Sequence, residues 1–494
     1  MAVDIFNCLT FDFGAGSGRA VLTTLSDGHT SLRELARFPT VERQRSGGLQ
    51  WDAQSLMEQV EDGLQAAVAT GATISSVGVD TWGLDYGLLD GDGHLLSDPY
   101  HYRDPRSQRG HDASPFTDDF LAQTTQAQVL PVNTVFQVID DLNVRPTITR
   151  RATRLLMMAD LINHHLTGIA CNELTLARTS GLHSWRAGNW SADILEIARI
   201  SRRWLGNIVM PGTVLGPLRP EVAARCGISQ IPVITVAGHD TASAIYGLPM
   251  KPDEAFLIAG SWNVVGFEAD HVPEAAQAEG FGIEGGAEGR ALVTRSLDGF
   301  MLIRRLKGRL ANQGSTGPDF ADLSNMARGA LAYGCPPVLD TSDPLLLTAD
   351  DFIDACQRQF LSRSVTPVTD PATLALSLYL SLAANVCDAI ERIERLTRAP
   401  VRNLRIGGGG SQDKFFCEIL ASQLNIPVIS GPVEASVTGN MLFQLIGLGK
   451  VPSLSAARTL VEGSAQLETA LPDTALQSLL SVVAGHRPSN ARIM

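Results

Sequence analysis

Three short stretches of this chain carry residue types at spacings that could do chemistry. In the first, Asp12 is followed by Gly14, Gly16 and Gly18, with Ala15, Ser17 and Arg19 among and beside them. Closely spaced glycines let a backbone turn sharply and bring several N–H groups to one anion, while Ser17 and Arg19 add a hydroxyl donor and a fixed positive charge. The stretch reads as a phosphate-holding hairpin, or as an ordinary glycine-rich turn. Asp12 could hold Mg²⁺ through its waters, because that ion takes few protein carboxylates and keeps much of its hydration. In the second stretch, the β-branched run Pro232 to Ala237 ends in Gly238-His239-Asp240-Thr241-Ala242-Ser243-Ala244. A carboxylate fixed just past a buried strand, with small neighbours that leave room for a substrate, suits a general base. The same Asp, Thr and Ser residues also cap helices, so both readings stand together. In the third, Asn403 to Ile406 runs into Gly407-Gly408-Gly409-Gly410-Ser411-Gln412 and then a helix, so a nucleotide lying across that N-terminus is physically reasonable.

Several function classes are disfavoured. The formal charge of −13 and pI near 5.2, without a Lys/Arg run, argue against nucleic-acid or anionic-membrane partners and leave a small diffusible substrate. There is no Gly-x-x-x-x-Gly-Lys-Ser/Thr, and the first glycine stretch runs into a strand where a dinucleotide-binding loop would open a helix. A dehydrogenase built on Gly407 to Gly410 lacks the acidic residue that would hold a ribose. Seven scattered cysteines indicate neither a disulfide framework nor a zinc site, so a reducing cytoplasm is expected. No basic-then-apolar leader opens the chain, and no secretory signal is expected. His101 and the pair His164-His165 lack metal-site spacing. The uncharged run Ala372 to Cys387 carries Ser377, Tyr379, Ser381 and Asn385 and reads as a buried helix.

These stretches need scaffolding to position them. Ile5 to Phe13, Arg19 to Leu25 and Leu32 to Phe38 read as an antiparallel meander around a loop at Gly14 to Gly18. A helix capped by Asp52 follows, with Leu56, Val60, Leu64 and Ala67 on one face, then a strand from Ile74 to Val79 broken at Asp80-Thr81-Trp82-Gly83. Residues 100 to 230 are mostly helical in pattern, including Arg154 to Leu166, on which Asp160 reads as a solvated or cap-region carboxylate. From Ala255 the strand, loop and strand pattern repeats, suggesting a duplicated core. The length of 494 residues calls for two or more domains, and the repeat divides the chain into 1–245 and 246–494.

Together, Asp12-Phe-Gly-Ala-Gly-Ser-Gly-Arg19, Asp80-Thr-Trp-Gly83, Tyr102-Arg-Asp104, Gly238 to Ala244, Gly260-Ser-Trp262, Gly408-Gly-Gly410 with Gln412, and Gly431-Pro-Val-Glu-Ala-Ser436 with Gly439-Asn440 resemble the FGGY carbohydrate kinases, most nearly the rhamnulokinase group. The resemblance implies an α/β fold of two ribonuclease-H-like domains, as in actin and hexokinase, with ATP and sugar in the cleft between them. It implies phosphorylation of a primary hydroxyl of a ketose, L-rhamnulose first, with L-fuculose, ribulose or xylulose as alternatives. It implies Asp240 as the base, with Gly83, His239, Thr241 and Ser296 around the sugar. Ala15, Gly16, Ser17, Gly18, Arg19, Ser261 and Arg304 would line ATP, Gly408, Gly409 and Gly410 would pack on its adenosine, and Asp12 would lie near Mg²⁺. Arg295-Ser296 stands where the group has Lys-Asn, and Arg304 where it has Gln, which bears on the identity of the sugar. A monomer or homodimer is expected. The competing reading is a non-catalytic sugar or nucleotide sensor with the same clamp, which would have no need of Asp240.

Overall fold

The structure, a computed structural model, describes residues 5–45, 47–311 and 317–480. Its first strand, Phe6–Phe13, is apolar at most positions and almost wholly buried, as a strand with neighbours on both sides and cover on both faces must be. It pairs antiparallel with Ser17–Ser26 and parallel with Ile74–Thr81. The six-stranded sheet has the order Val214–Pro217, Pro232–Ile234, Ile74–Thr81, Phe6–Phe13, Ser17–Ser26, His29–Pro39. The seven-stranded sheet runs Gly282–Glu284, Ala291–Asp298, Trp262–Ala269, Glu254–Ala259, Asn403–Gly407, Val428–Ser430, Glu468–Ala470. Apart from its outer strand Gly282–Glu284, the second sheet repeats the first: a central strand with two antiparallel steps on one side, and two parallel steps and an antiparallel edge on the other.

The helix Ala53–Ala69 forms as its pattern requires, with the Asp52 carboxylate accepting from Ser55 N and Leu56, Val60, Leu64 and Ala67 buried. The apolar helix of the second half is Pro371–Thr397, long and apolar enough to cross a membrane, with 78% of its most apolar window buried inside the protein. Three local expectations are corrected. The loop in the first hairpin is shorter than Gly14 to Gly18, because Ser17 and Gly18 already pair within the second strand. Arg154–Met157 is a strand against Tyr86–Leu89, and the helix begins only at Met158; Leu155, Leu156 and Met157 are buried consecutively, which a short strand covered on both faces permits. An additional hairpin joins Glu42–Arg45 to Gly48–Trp51.

The two sheets are tied together by an apolar cluster in which helices Asp240–Gly247 and Ala435–Gly447 cross. The crossing is close because glycines form it: a Cβ on Gly439 would lie 1.9 Å from the Ser243 carbonyl oxygen, and one on Gly247 2.0 Å from that of Ala435. Gly439→Ala must push backbone against backbone, and overpacking of this kind costs about 1–3 kcal/mol. Denaturant unfolding is expected to show that loss for Gly439→Ala. An unchanged midpoint would mean that the helices separate freely.

Candidate functional site

The site lies at the carboxyl ends of the central parallel strands, where open α/β sheets place ligands. Asp12 ends the first strand, and Asp80 sits in register opposite it on Ile74–Thr81. The next segment continues alongside, with Thr81 N donating to Gly238 O (2.9 Å), and so brings in His239 and Asp240. Asp12 Oδ2 accepts from Arg19 Nε (2.9 Å) and Nη2 (2.7 Å) and from Ser436 Oγ (2.8 Å). Arg19 also pairs with Glu434. The first hairpin is thereby fastened to the loop that follows Val428–Ser430. Ala15, Gly16 and Ser17 form its exposed or half-exposed tip, whereas Gly18 is buried, and a Cβ there would meet Phe13 at 2.5 Å and Phe38 at 2.6 Å. Gly18 is thus required by aromatic packing behind the hairpin, a constraint separate from any anion in front of it.

Asp80 is fully buried. Asn440 Nδ2 donates to its Oδ2 at 2.6 Å, while Oδ1 has no partner among the described residues. Burial, then the Asp12 carboxylate and more weakly that of Asp240, hold the Asp80 carboxyl well above the usual range, against the opposing Asn440 bond. Asn440 reaches it because Gly78 leaves room: a Cβ at Gly78 would lie 2.5 Å from Asn440 Oδ1. Gln444 donates to that same Oδ1 (2.7 Å) and accepts from Ser76 Oγ (2.7 Å).

Asp240 begins helix Asp240–Gly247, and its Oδ1 accepts from Thr241 N (2.5 Å) and Thr241 Oγ1 (3.1 Å). Burial, then the charge of Asp12, pushes its carboxyl up to about 7, although its side chain remains 27% exposed. His239 Nε2 lies 3.6 Å from Asp240 Oδ1, and its Nδ1 lies 3.8 Å from Glu284 Oε2. Gly83 abuts the same imidazole, since a Cβ there would be 3.3 Å from His239 Cδ2. Gly83, His239, Asp240 and Thr241 therefore converge.

Two buried networks hold this corner. Glu173 Oε2 accepts from Gly238 N (3.0 Å) and from Thr175 Oγ1 (2.5 Å), and Thr175 Oγ1 in turn accepts from His239 N (3.1 Å). Burial pushes Glu173 up to about 7 against the donors around it. Asp160 accepts from Glu173 N (3.0 Å), so it is a buried brace, correcting the solvated reading. On the other side, Asp85 accepts from Trp51 Nε1 (2.7 Å), Trp82 Nε1 (3.0 Å), Tyr102 N (3.1 Å) and Gln137 Nε2 (3.1 Å). The chain between Trp82 and Asp85 passes through Leu84 at φ +79, a conformation costly for a branched residue and held by Thr134 Oγ1 on the Leu84 carbonyl (2.5 Å).

The glycines of the second sheet form a separate wall. Gly408 has φ +80, and a Cβ on it would strike Ala259 O at 2.7 Å, while Gly410 packs under Phe300 and Ala259. Gly409–Gln412 is a 3₁₀ turn, after which the helix Lys414–Leu424 starts behind its Asp413 cap. Ser261 joins this wall through its carbonyl, which accepts from Met301 N (3.1 Å), next to Gly260 O accepting from Phe300 N (2.8 Å). Arg304 stands one turn further along and is exposed. Ser296 is exposed on Ala291–Asp298. Neither makes a side-chain hydrogen bond among the described residues.

The sequence reading missed Asp80, Glu173, Glu284 and Asn440 as site residues. For Asp80 a signal existed, a carboxylate at a strand end as at Asp12. Asn440 already stood in the Gly439-Asn440 pair of the family resemblance, whereas Glu173 and Glu284 are brought in only by tertiary structure. Of the histidines set aside as metal ligands, His165 Nε2 is 2.9 Å from Glu61, and His101 stacks on Trp51 with its Nδ1 accepting from Arg103 N (2.9 Å). Asp90, Asp92 and His94 approach one another at a surface turn, where Asp90 Oδ1 is already accepting from two backbone N–H groups.

Comparison with known proteins identifies the family and the fold. Residues 7–247 match the N-terminal domain, and residues 255–448 the C-terminal domain, of the FGGY family of carbohydrate kinases. The chain is 34% identical over 462 residues to a rhamnulokinase of Pectobacterium carotovorum, covering 92% of this chain and 90% of that one. It is 30% identical over 475 residues to a rhamnulokinase of Bacteroides thetaiotaomicron, covering 94% and 96%. Among solved structures, a gluconate kinase from Lactobacillus acidophilus superposes with a TM-score of 0.79 at 15% identity over 98% of this chain and 97% of that one. A glycerol kinase from Plasmodium falciparum, solved with ADP, superposes with a TM-score of 0.76 at 13% identity over 97% of each chain; such low identities speak to fold alone. With both domain profiles matched in order and relatives above 30% identity along nearly the whole length, the chain belongs to the FGGY family of carbohydrate kinases.

Proposed function

We propose that this protein is an ATP-dependent ketose kinase of the rhamnulokinase type, which transfers the γ-phosphoryl group of ATP to a primary hydroxyl of L-rhamnulose. The observation that carries the reading is Asp240, a half-buried carboxylate with its proton affinity raised to about 7 at the mouth of a site containing two further carboxylates. The likeness to rhamnulokinases over more than nine-tenths of the chain supports the choice of sugar. In this reading residues 1–245 supply the sugar site and phosphate hairpin, and residues 246–494 supply the nucleotide wall.

Gly83, His239 and Thr241 surround the sugar, and Asp240 takes the proton of the primary hydroxyl as its oxygen attacks the γ-phosphorus. The bond from that phosphorus to the bridging oxygen breaks, and ADP leaves. A base tuned near neutrality is ionised often enough to accept the proton and basic enough to drive the transfer. Ala15 to Arg19 face the phosphates from one side, with Ser261 and Arg304 on the other, and Gly408 to Gly410 offer a side-chain-free surface for adenosine. Because phosphoryl transfer asks little covalent chemistry of the protein, alignment and exclusion of water are its main tasks. The crowded carboxylates fit a hard divalent cation: Asp80 keeps one buried, unpartnered oxygen, and Asp12 lies opposite in register. Asp12, with Asp80 behind it, would hold Mg²⁺, which when bound neutralises charge on the phosphates. Ser296, a shorter side chain than the amide of the rhamnulokinase group, favours tolerance of a second ketose such as L-fuculose, ribulose or xylulose.

Two tests follow. Asp240→Asn keeps shape and removes the base, so kcat with L-rhamnulose is expected to fall by about 10² to 10⁴, with the KM for ATP unchanged; a variant retaining more than about a tenth of kcat contradicts the assignment. The base works only when deprotonated, so kcat/KM for the sugar should climb about tenfold per pH unit below about 7 and level off above it. A profile already flat from pH 5 upward would show that no group with Asp240's raised proton affinity limits the reaction.

A further inference from the structure

Beside the base stands a residue that the proposed reaction has not used. Glu284 Oε2 and His239 Nδ1 face each other at 3.8 Å, too far for a hydrogen bond, and neither atom has a partner among the described residues although both are buried. A buried polar atom without a partner is costly, and two of them facing each other mark a place for a third group. A ligand hydroxyl that reaches both would donate its proton to the carboxylate and accept from the Nδ1–H of the imidazole. Resting on the kinase reading above, we propose that Glu284 is a specificity-determining residue, which together with His239 grips a sugar hydroxyl remote from the one that is phosphorylated.

The position is built to be rigid. Glu284 ends the strand Gly282–Glu284, paired opposite Leu292. The chain then turns through Gly285 at φ +59 and Gly286 at φ +122, and a Cβ on Gly286 would lie 2.0 Å from Arg178 Nη1. Arg178 donates to the Gly285 carbonyl, and Tyr246 Oη accepts from both Gly286 N and Ala287 N at 2.7 Å. A carboxylate carried on backbone braced in this way can discriminate among epimers, because a hydroxyl of the wrong hand leaves the carboxylate unpaired. The imidazole lies between the two carboxylates, with Nε2 toward Asp240 and Nδ1 toward Glu284. The hydroxyl read by Glu284 is thus separated from the attacking one by the width of the ring, which selects for a polyhydroxylated chain over a short polyol.

The test compares wild type with Glu284→Ala and the shape-conserving Glu284→Gln, each checked by thermal melting, on L-rhamnulose, its epimeric ketoses and deoxy analogues lacking one distal hydroxyl. For the preferred ketose kcat/KM should fall about ten- to a hundredfold in the Ala variant, chiefly through KM, with partial recovery in Gln and no change in the KM for ATP. One deoxy analogue should be handled equally by wild type and variants, identifying the hydroxyl. Turnover with unchanged discrimination in both variants overturns the role of Glu284 and leaves the kinase reading standing. If no ketose is phosphorylated by wild type, the kinase reading fails; the melting temperature then reads binding, and sugar-induced shifts equal in wild type and Glu284→Gln overturn this inference as well.

Discussion

Like charges forced together are the constraint on which this structure turns. Strand register puts Asp12 directly opposite Asp80 on parallel neighbours, and the next parallel segment delivers Asp240 into the field of both. With little water to screen them, burial and neighbouring charge raise the proton affinity of Asp80 and of Asp240, and the fold answers each of the three carboxylates differently. Asp12 is met by the Arg19 guanidinium and the Ser436 hydroxyl, Asp80 by the Asn440 amide, and Asp240 by Thr241 N and Oγ1. Asp240 has the most access to solvent of the three, and is the one positioned to exchange a proton with a ligand.

The second half of the chain contributes to this corner from a distance of several hundred residues. Asn440 and Gln444 project from Ala435–Gly447 beneath the first sheet, admitted by Gly78 and by the close crossing at Gly247 and Gly439. Duplicated topology then gives the two sheets equivalent strand ends with opposite chemistry. One set carries Asp12, Asp80 and Asp240, while the other carries Ser261, Gly408 and Gly431. Charge that can move protons or hold a cation lies on one side, and bare backbone that a large planar or anionic ligand can approach lies on the other. A transfer between two ligands needs that division.

Much of this was legible in the residues, for reasons that can be named. The hairpin at Asp12, the strand-end Asp240 and the glycines at Gly408 combine local pattern with local chemistry, and the resemblance to FGGY kinases joined them into one site. What stayed hidden depended on tertiary structure. Asp80 looked like a break in a strand because its in-register partner is nearly seventy residues earlier. Asp160 looked like a solvated or cap-region carboxylate, and only burial shows it bracing Glu173, which in turn holds the Gly238–His239 turn. Gly18 looked like part of an anion nest, yet the rings of Phe13 and Phe38 are what forbid a side chain there. Arg154–Met157 followed a helical pattern of apolar residues, but pairing with Tyr86–Leu89 outweighs that local preference.

Phosphoryl transfer to a sugar by these carboxylates leaves its signature in the product. Wild-type protein incubated with L-rhamnulose, ATP and Mg²⁺ can be followed by ³¹P and ¹³C NMR. A new phosphomonoester coupled to a primary carbon of the ketose, formed in step with ADP, is expected. Release of inorganic phosphate alone, at a rate indifferent to every ketose added, would contradict it.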